Sequence, residues 1–211
     1  MSGHLGSSDV RVSIFIDYWN FVSSLNECEA NFQSDWTKVS KVILTAVQAL
    51  DQSIPVRRHV YQGMRVVGSF DPDTEAGRKS KNWATTFLSS RVPGCTVHFV
   101  ERQRKKAGPK CPACRSVIQL CPTCSTDMRG TEEKGVDTRI ATEMISHAWE
   151  NAYDIAVIVS ADRDFVPVAE FLQAKGKTII HAGFPPKGAF LRQACWGGID
   201  LSTKMDALRK L

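Results

Sequence analysis

No apolar run in the chain approaches the roughly 18 residues that a membrane span requires. The opening residues, 1–8, lack the basic-then-apolar pattern of a secretory signal. Both absences lead to the expectation of a cytoplasmic protein with no membrane partner, in a compartment where thiols stay reduced. The seven cysteines are an odd number, which argues against a disulfide framework. Charge of one sign is not in great excess: 27 Lys and Arg stand against 22 Asp and Glu, a formal +5. That balance permits an anionic partner without demanding one. There is also no Gly-rich phosphate loop of the P-loop type and no Ser–His–Asp spacing. A nucleotide-triphosphate cradle and serine-hydrolase chemistry are therefore not indicated.

What is present is a soluble α/β pattern, with 43% hydrophobic and 23% charged residues over 211 positions. That length suits one domain plus a modest insertion. Val10 to Ile16 is a β-branched apolar run that ends in Asp17 and reads as a buried strand. Thr37 to Leu50 repeats apolar residues at helical spacing. Pro55–Tyr61 reads as a second strand, Gly63–Gly77 as a polar loop, Arg78–Ser90 as a helix and Cys95–Glu101 as a third strand. After an interruption, helices over Val136–Asn151 and Phe165–Lys175 alternate with strands over Ile155–Ser160 and Lys177–Ala182. Ala189–Ala194 suits a short helix and the rest reads as a tail. Alternating strands and helices imply a mostly parallel sheet covered on both faces. The expected organisation is a disordered start over 1–9 and one domain over 10–211, interrupted at 102–130. No internal repeat stands out.

Two strands stay apolar to their last residues and then present acid. VSIFID ends at Asp17, and IAVIVSAD ends at Asp162, with Asp164 two residues on. In open parallel sheets, ligands bind outside the carboxyl ends of strands where the strand order reverses. Clustered carboxylates repel one another unless a cation neutralises them, and hard oxygen donors suit magnesium or manganese. Such an ion is equipped for phosphoryl chemistry. Each acid alone has an equally good structural reading. Asp137 and Asp164 precede helices and suit N-caps, and Asp17 suits the amides of its own turn. Together at strand ends, they favour a site.

The stretch EEKGVDTRIATEMISHAWENAYDIAVIVSADRDFVPVAEFLQAKGKTIIHAGF, with IFIDYWNF near the start, resembles the NYN domain, specifically its LabA-like branch within the PIN-like nuclease superfamily. The resemblance implies a three-layer α/β/α sandwich of PIN-like, Rossmann-like form and metal-dependent ribonuclease chemistry. Carried over by position, it makes Asp17 the first-strand metal ligand and Asn20 an orienting residue. Asp137 becomes the acid of the Val-Asp step, and Asp162 and Asp164 become the paired acids. Glu143 stands where relatives carry Asp in the following helix, with enough length to reach a metal through water. The chain departs from the family at Arg163, between the paired acids, which either pairs with one of them or holds phosphate. Tyr18 and Trp19 follow Asp17 and either stack on bases or belong to the core.

The insertion carries Cys111, Cys114, Cys121 and Cys124 in the order CPAC, then CPTC. Each Cys-Pro-X-Cys suits a tight knuckle, and four thiolates suit structural, tetrahedral zinc, with iron as the alternative for the same ligands. Ahead of it lies a basic run of Arg102, Arg104, Lys105, Lys106 and Lys110. Charge runs are usually solvated, but here an RNA-guiding arm is an equal reading. Two functions follow. One is a metal-dependent endoribonuclease acting on single-stranded or structured RNA. The other is a catalytically weak or inactive nucleic-acid-binding regulator on the same fold.

Overall fold

The computed structural model describes residues 9–51 and 57–210. The expected disordered start lies outside them except for Asp9, and so do the first residues of the expected strand Pro55–Tyr61. In chain order the elements are β1 (Val10–Asp17), α1 (Tyr18–Cys28), α2 (Trp36–Leu50), β2 (His59–Phe70), α3 (Glu75–Trp83), a π-helical stretch (Ala84–Leu88) and α4 (Ser89–Arg91). β3 (Cys95–Glu101), β4 (Gln103–Arg104), β5 (Thr131–Glu132), α5 (Val136–Trp149) and β6 (Ile155–Val159) follow. A 3-10 turn (Arg163–Phe165) leads into α6 (Val166–Ala174), β7 (Thr178–Gly183), α7 (Ala189–Ala194), β8 (Gly197–Asp200) and α8 (Met205–Leu208).

Six strands form one parallel sheet in the order β3-β2-β1-β6-β7-β8. β1 is central, and Val12 through Asp17 are all buried, as a strand covered on both faces requires. Successive side chains alternate between faces. Val12, Ile14 and Ile16 meet Phe21, Val39 and Ile43 of α1 and α2 in one core. Phe15 meets Ile140, Met144 and Leu172 of α5 and α6 in the other. The result is the three-layer sandwich. By the same alternation Asp17 shares the face of Phe15 and is directed toward the layer that contains α5.

The chain winds outward from β1 through β2 to β3, then returns across the sheet to place β6 on the other side of β1. The order therefore reverses between β1 and β6, which are hydrogen-bonded neighbours with Ile16 opposite Val159. The carboxyl ends of these two strands are the ones that carry Asp17 and Asp162. Among the described residues, no helix is long and apolar enough to cross a membrane.

Three expectations are corrected. The loop expected from Gly63 starts only after Phe70, because β2 continues through Met64, Val66 and Val67, all buried. Gly63 is a point of close approach within the strand rather than a turn: a Cβ there would lie 3.1 Å from the Gly94 carbonyl oxygen. The expected tail contains β8 and α8, and its Ile199, Leu201 and Leu208 complete the first core. The third correction concerns the insertion, which contains a repeat.

That insertion leaves the body through the antiparallel β4–β5 pair, Gln103 opposite Glu132 and Arg104 opposite Thr131. Beyond it, two knuckles repeat with a period of ten residues. Arg115 N donates to Cys111 O and Ser125 N to Cys121 O, both at 2.9 Å. Cys111 N donates to Ser116 O at 2.9 Å and Cys121 N to Thr126 O at 2.8 Å. Arg115 and Ser125 take matching left-handed conformations, φ 61° and 57°. Arg104 ties the unit down, bridging Asp127 and Asp73, each at 3.1 Å. No residue between 102 and 135 contributes to either core.

Candidate metal centre

Asp17 ends β1 and caps α1, accepting from Asn20 N at 3.1 Å. The structural and functional readings of this acid therefore coexist: one oxygen caps the helix while the other, Oδ2, faces Ser160 Oγ at 3.4 Å. Asn20 reaches across to the neighbouring strand end, where its Oδ1 accepts from Ala161 N at 2.9 Å. Ser160 Oγ in turn accepts from Asp162 N at 3.1 Å. Asp162 Oδ1 accepts from Asp164 N at 2.9 Å and so caps the 3-10 turn. The ends of β1 and β6 are thus laced into one rigid floor by Asn20 and Ser160.

Above that floor, one carboxylate oxygen each from Asp137, Asp162 and Asp164 lie within 4.8 Å of one another. Asp137 occupies the first turn of α5, not its cap; the cap position is Gly135, at φ 93°. Its carboxylate is therefore not consumed by the helix terminus. Burial pushes the Asp17 carboxyl up to about 6, with the negative charges of Asp137 and Glu133 adding to the effect. Asp137 is also raised, first by burial and then by Asp162, Glu133 and Asp164. The neighbouring carboxylates that raise Asp17 and Asp137 make a negative local field, which a cation relieves. The donor set fits a hard divalent ion: carboxylate oxygens from three residues, converging, with Asp164 exposed and the other two half-buried.

The structure brings together Asp17, Asn20, Asp137, Asp162 and Asp164. It does not bring Glu143 to them. Glu143 Oε1 accepts from Arg139 Nε at 2.6 Å along α5. Six residues beyond Asp137 on a helix, it stands about 120° around the axis and about 9 Å along it. The expectation that it completes the site is corrected on that geometry. Glu143→Gln should cost on the order of 1 kcal/mol, for loss of a charge-assisted bond at a largely covered carboxylate, and should leave any nuclease activity at the parent level. Activity assays and thermal melts check both.

Two contributors were missed. Glu133, four residues before Asp137, receives a hydrogen bond from the Ser69 hydroxyl at the end of β2 and adds its charge to the field. Ser160 is buried and holds both strand-end acids. The signals were the second acid of EEKGVD and a hydroxyl closing an otherwise apolar strand. Tyr18 is core, packed against Trp19, Trp36 and Phe99, which removes it as a base platform. Trp19 sits at the rim, its Nε1 donating to Ser69 O at 2.6 Å.

The basic run divides. Arg104 is committed to Asp73 and Asp127, and the half-buried Arg102 donates its backbone N–H to Phe70 O at 2.8 Å. Lys105, Lys106 and Lys110 are exposed. Arg163 is exposed too, and among the described residues no acid pairs with it, although two flank it in sequence.

The cysteines stand as two pairs. Cys114 is lowered to about 7 by its hydrogen bonding with Ser116 and by its neighbour Cys111, and Cys124 is lowered likewise by Thr126 and Cys121. Thiolate-favouring knuckles of this kind are the right chemistry for a thiophilic ion. Among the described residues, however, no three of the four sulfurs come within 4.8 Å of one another. Within each knuckle the sulfurs are paired, Cys111 with Cys114 and Cys121 with Cys124.

A doubly wound parallel sheet of this class takes its ligands outside the carboxyl ends of its strands, where the order reverses, and here that place is lined by carboxylates. The NYN domain profile matches residues 11–202, nearly the whole chain, and the chain belongs to the NYN domain family. That family lies within the PIN-like nuclease superfamily. The crystal structure of VPA0982, a protein of unknown function from Vibrio parahaemolyticus RIMD 2210633, is similar in fold. It aligns with a TM-score of 0.57 at 16% identity, covering 95% of this chain and 96% of that one. A structure described under the mechanism and regulation of Sir2 enzymes aligns with a TM-score of only 0.37 at 8% identity, over 96% and 91% of the two chains, which is too distant to inform function. No curated protein matches the chain.

Proposed function

We propose that this protein is a metal-dependent endoribonuclease of the LabA-like branch that hydrolyses RNA phosphodiesters in the cytoplasm. The observation that carries the reading is the convergence of Asp137, Asp162 and Asp164 at the β1/β6 reversal, on a floor formed by Asp17. Asp137, Asp162 and Asp164 would hold a magnesium or manganese ion, and Asp17 adds the fourth carboxylate of the same field. When bound, such an ion stabilises charge on a phosphoryl oxygen and lowers the pKa of water. Asn20 and Ser160 keep the acids in register, so that little reorganisation is needed when substrate arrives. Purified protein with magnesium or manganese should cut a single-stranded RNA internally, and EDTA should stop it. Intact RNA under all of these conditions would favour the non-catalytic, nucleic-acid-binding reading. A matched DNA strand in the same assay tests whether the 2′-hydroxyl is read.

We also read the tandem knuckles as a structural zinc clamp on the insertion, with the exposed lysines beside it attracting RNA. Because Arg104 is engaged in ion pairs, the arm reduces to Lys105, Lys106 and Lys110. Each phosphate contact to a single strand contributes about 0.7 to the salt slope of binding. Replacing Lys105 and Lys106 with alanine should therefore flatten the slope of log affinity against log salt by about 1.4 units. A slope equal to the parent's would make these lysines solvated surface.

A further inference from the structure

An open groove of about 860 Å³ lies directly beside the carboxylates, between the 3-10 turn, α6 and α7. Asp164 belongs to both places: its carboxylate joins the group of three, and it also lines the groove. Arg163, Glu170, Phe190 and Gln193 also line it, together with small apolar residues of α6 and α7. Phe190 is 71% exposed, and no other aromatic ring stacks on it among the described residues. A large aromatic left in water on a short helix, next to a guanidinium without an acid partner, has no role in the fold. Neither core includes it.

We propose that this groove is the subsite for the nucleotide adjacent to the scissile phosphate, with Phe190 stacking on its base. The proposal rests on the phosphodiesterase reading and extends it. Arg163 would hold the phosphate on the far side of that nucleotide, since a planar guanidinium suits phosphate oxygens. Gln193 presents both a donor and an acceptor to a base edge. Glu170, an acceptor only, suits a base amino group and disfavours a second phosphate against the inner wall. An aromatic face, a cation and edge-reading polar groups are the combination that recognises unpaired bases. The shared Asp164 wall decides between a nucleotide and an unrelated occupant: whatever fills the groove is continuous with whatever meets the carboxylates.

The test is binding of a fluorescein-labelled decamer RNA in calcium, followed by anisotropy, with cleavage in magnesium monitored separately. Phe190→Ala should weaken binding roughly 5- to 150-fold, the range expected for loss of one stacked base, while Phe190→Trp should retain it. Because Phe190 is exposed, the melting temperatures should match. In a series of decamers with one abasic residue each, one position should lose affinity for the parent protein and show no further loss with Phe190→Ala. Unchanged affinity of Phe190→Ala across the whole series would overturn the subsite, and persistent cleavage in that case would leave the nuclease reading standing. Failure of the parent to bind or cut any RNA would overturn both.

Discussion

Asp17→Asn will reduce RNA cleavage by at least about 100-fold, since even outer partners of metal sites cost roughly 10- to 100-fold when removed. Asp162→Asn should do the same. The two variants differ in what else they change. In Asp17→Asn, Oδ1 of the amide still accepts from Asn20 N, so the cap on α1 survives. What disappears is a buried negative charge. With its carboxyl pushed up to about 6 by burial and by Asp137 and Glu133, Asp17 binds its proton more tightly in the native state than in the unfolded one. Native stability therefore falls as pH rises from about 4 to about 6, and the full cost, on the order of 3 kcal/mol, persists above that. In metal-free buffer at pH 7.5, Asp17→Asn should consequently melt higher than the parent, by roughly 2–4 °C for each kcal/mol. The advantage should vanish near pH 4, where the parent's Asp17 is protonated. Full activity in either variant would refute the site. A melting advantage independent of pH would refute the assigned cause.

An opposition of stability and activity at Asp17, if these variants show it, would help to identify the site. A residue kept only for the cap could be asparagine with no loss of the hydrogen bond. A carboxylate placed where burial and two like charges disfavour it is one that a bound cation would relieve. Asp137 carries the same signature, half-buried and raised, at a helix end where Gly135 occupies the cap position.

Much of this site was legible in the sequence because its elements announce themselves locally. An apolar run that ends in acid needs only one strand's worth of residues to be recognised, which is why Asp17 and Asp162 stood out. Their adjacency was not legible, because the pairing of Ile16 with Val159 joins segments far apart in sequence and no local pattern encodes it. β8 was hidden by Gly197 and Gly198, which carry no side-chain periodicity, so its two-sided signal reduces to Ile199. The placement of Glu143 failed for a reason that helix geometry supplies, since six residues bring a side chain to a different face. Arg104 could not be separated from its neighbouring lysines by composition. Only the fold shows Asp73 and Asp127 within its reach. The ten-residue repeat in the insertion was present in the letters, and matching left-handed residues at Arg115 and Ser125 make it visible.

The second large effect concerns that insertion. Cys111→Ser combined with Cys124→Ser removes one thiol from each knuckle, and with it the means of holding a thiophilic ion at either. The parent should contain one tightly bound zinc per chain by elemental analysis, and the double variant should contain almost none. A unit of this size has too little apolar surface to order itself, so its stability is metal binding by another name. Trypsin should then cut the variant rapidly at Lys105, Lys106, Lys110 or Arg115, all exposed, while the parent resists. The melting transition of the α/β body should stay where it is, because neither core draws on residues 102–135. The Arg104–Asp73 ion pair, the Ser69–Glu133 hydrogen bond and the bond from Arg102 N to Phe70 O link the two parts. The two-pair arrangement of the sulfurs makes stoichiometry informative. One zinc per chain means that the knuckles close on a common ion. Half a zinc per chain, accompanied by dimers that EDTA disperses, would mean that pairs from different molecules share it, and would replace the single-chain clamp. Resistance of the metal-free double variant to trypsin would show that hydrogen bonds alone, such as Cys111 N to Ser116 O, suffice to order the knuckles.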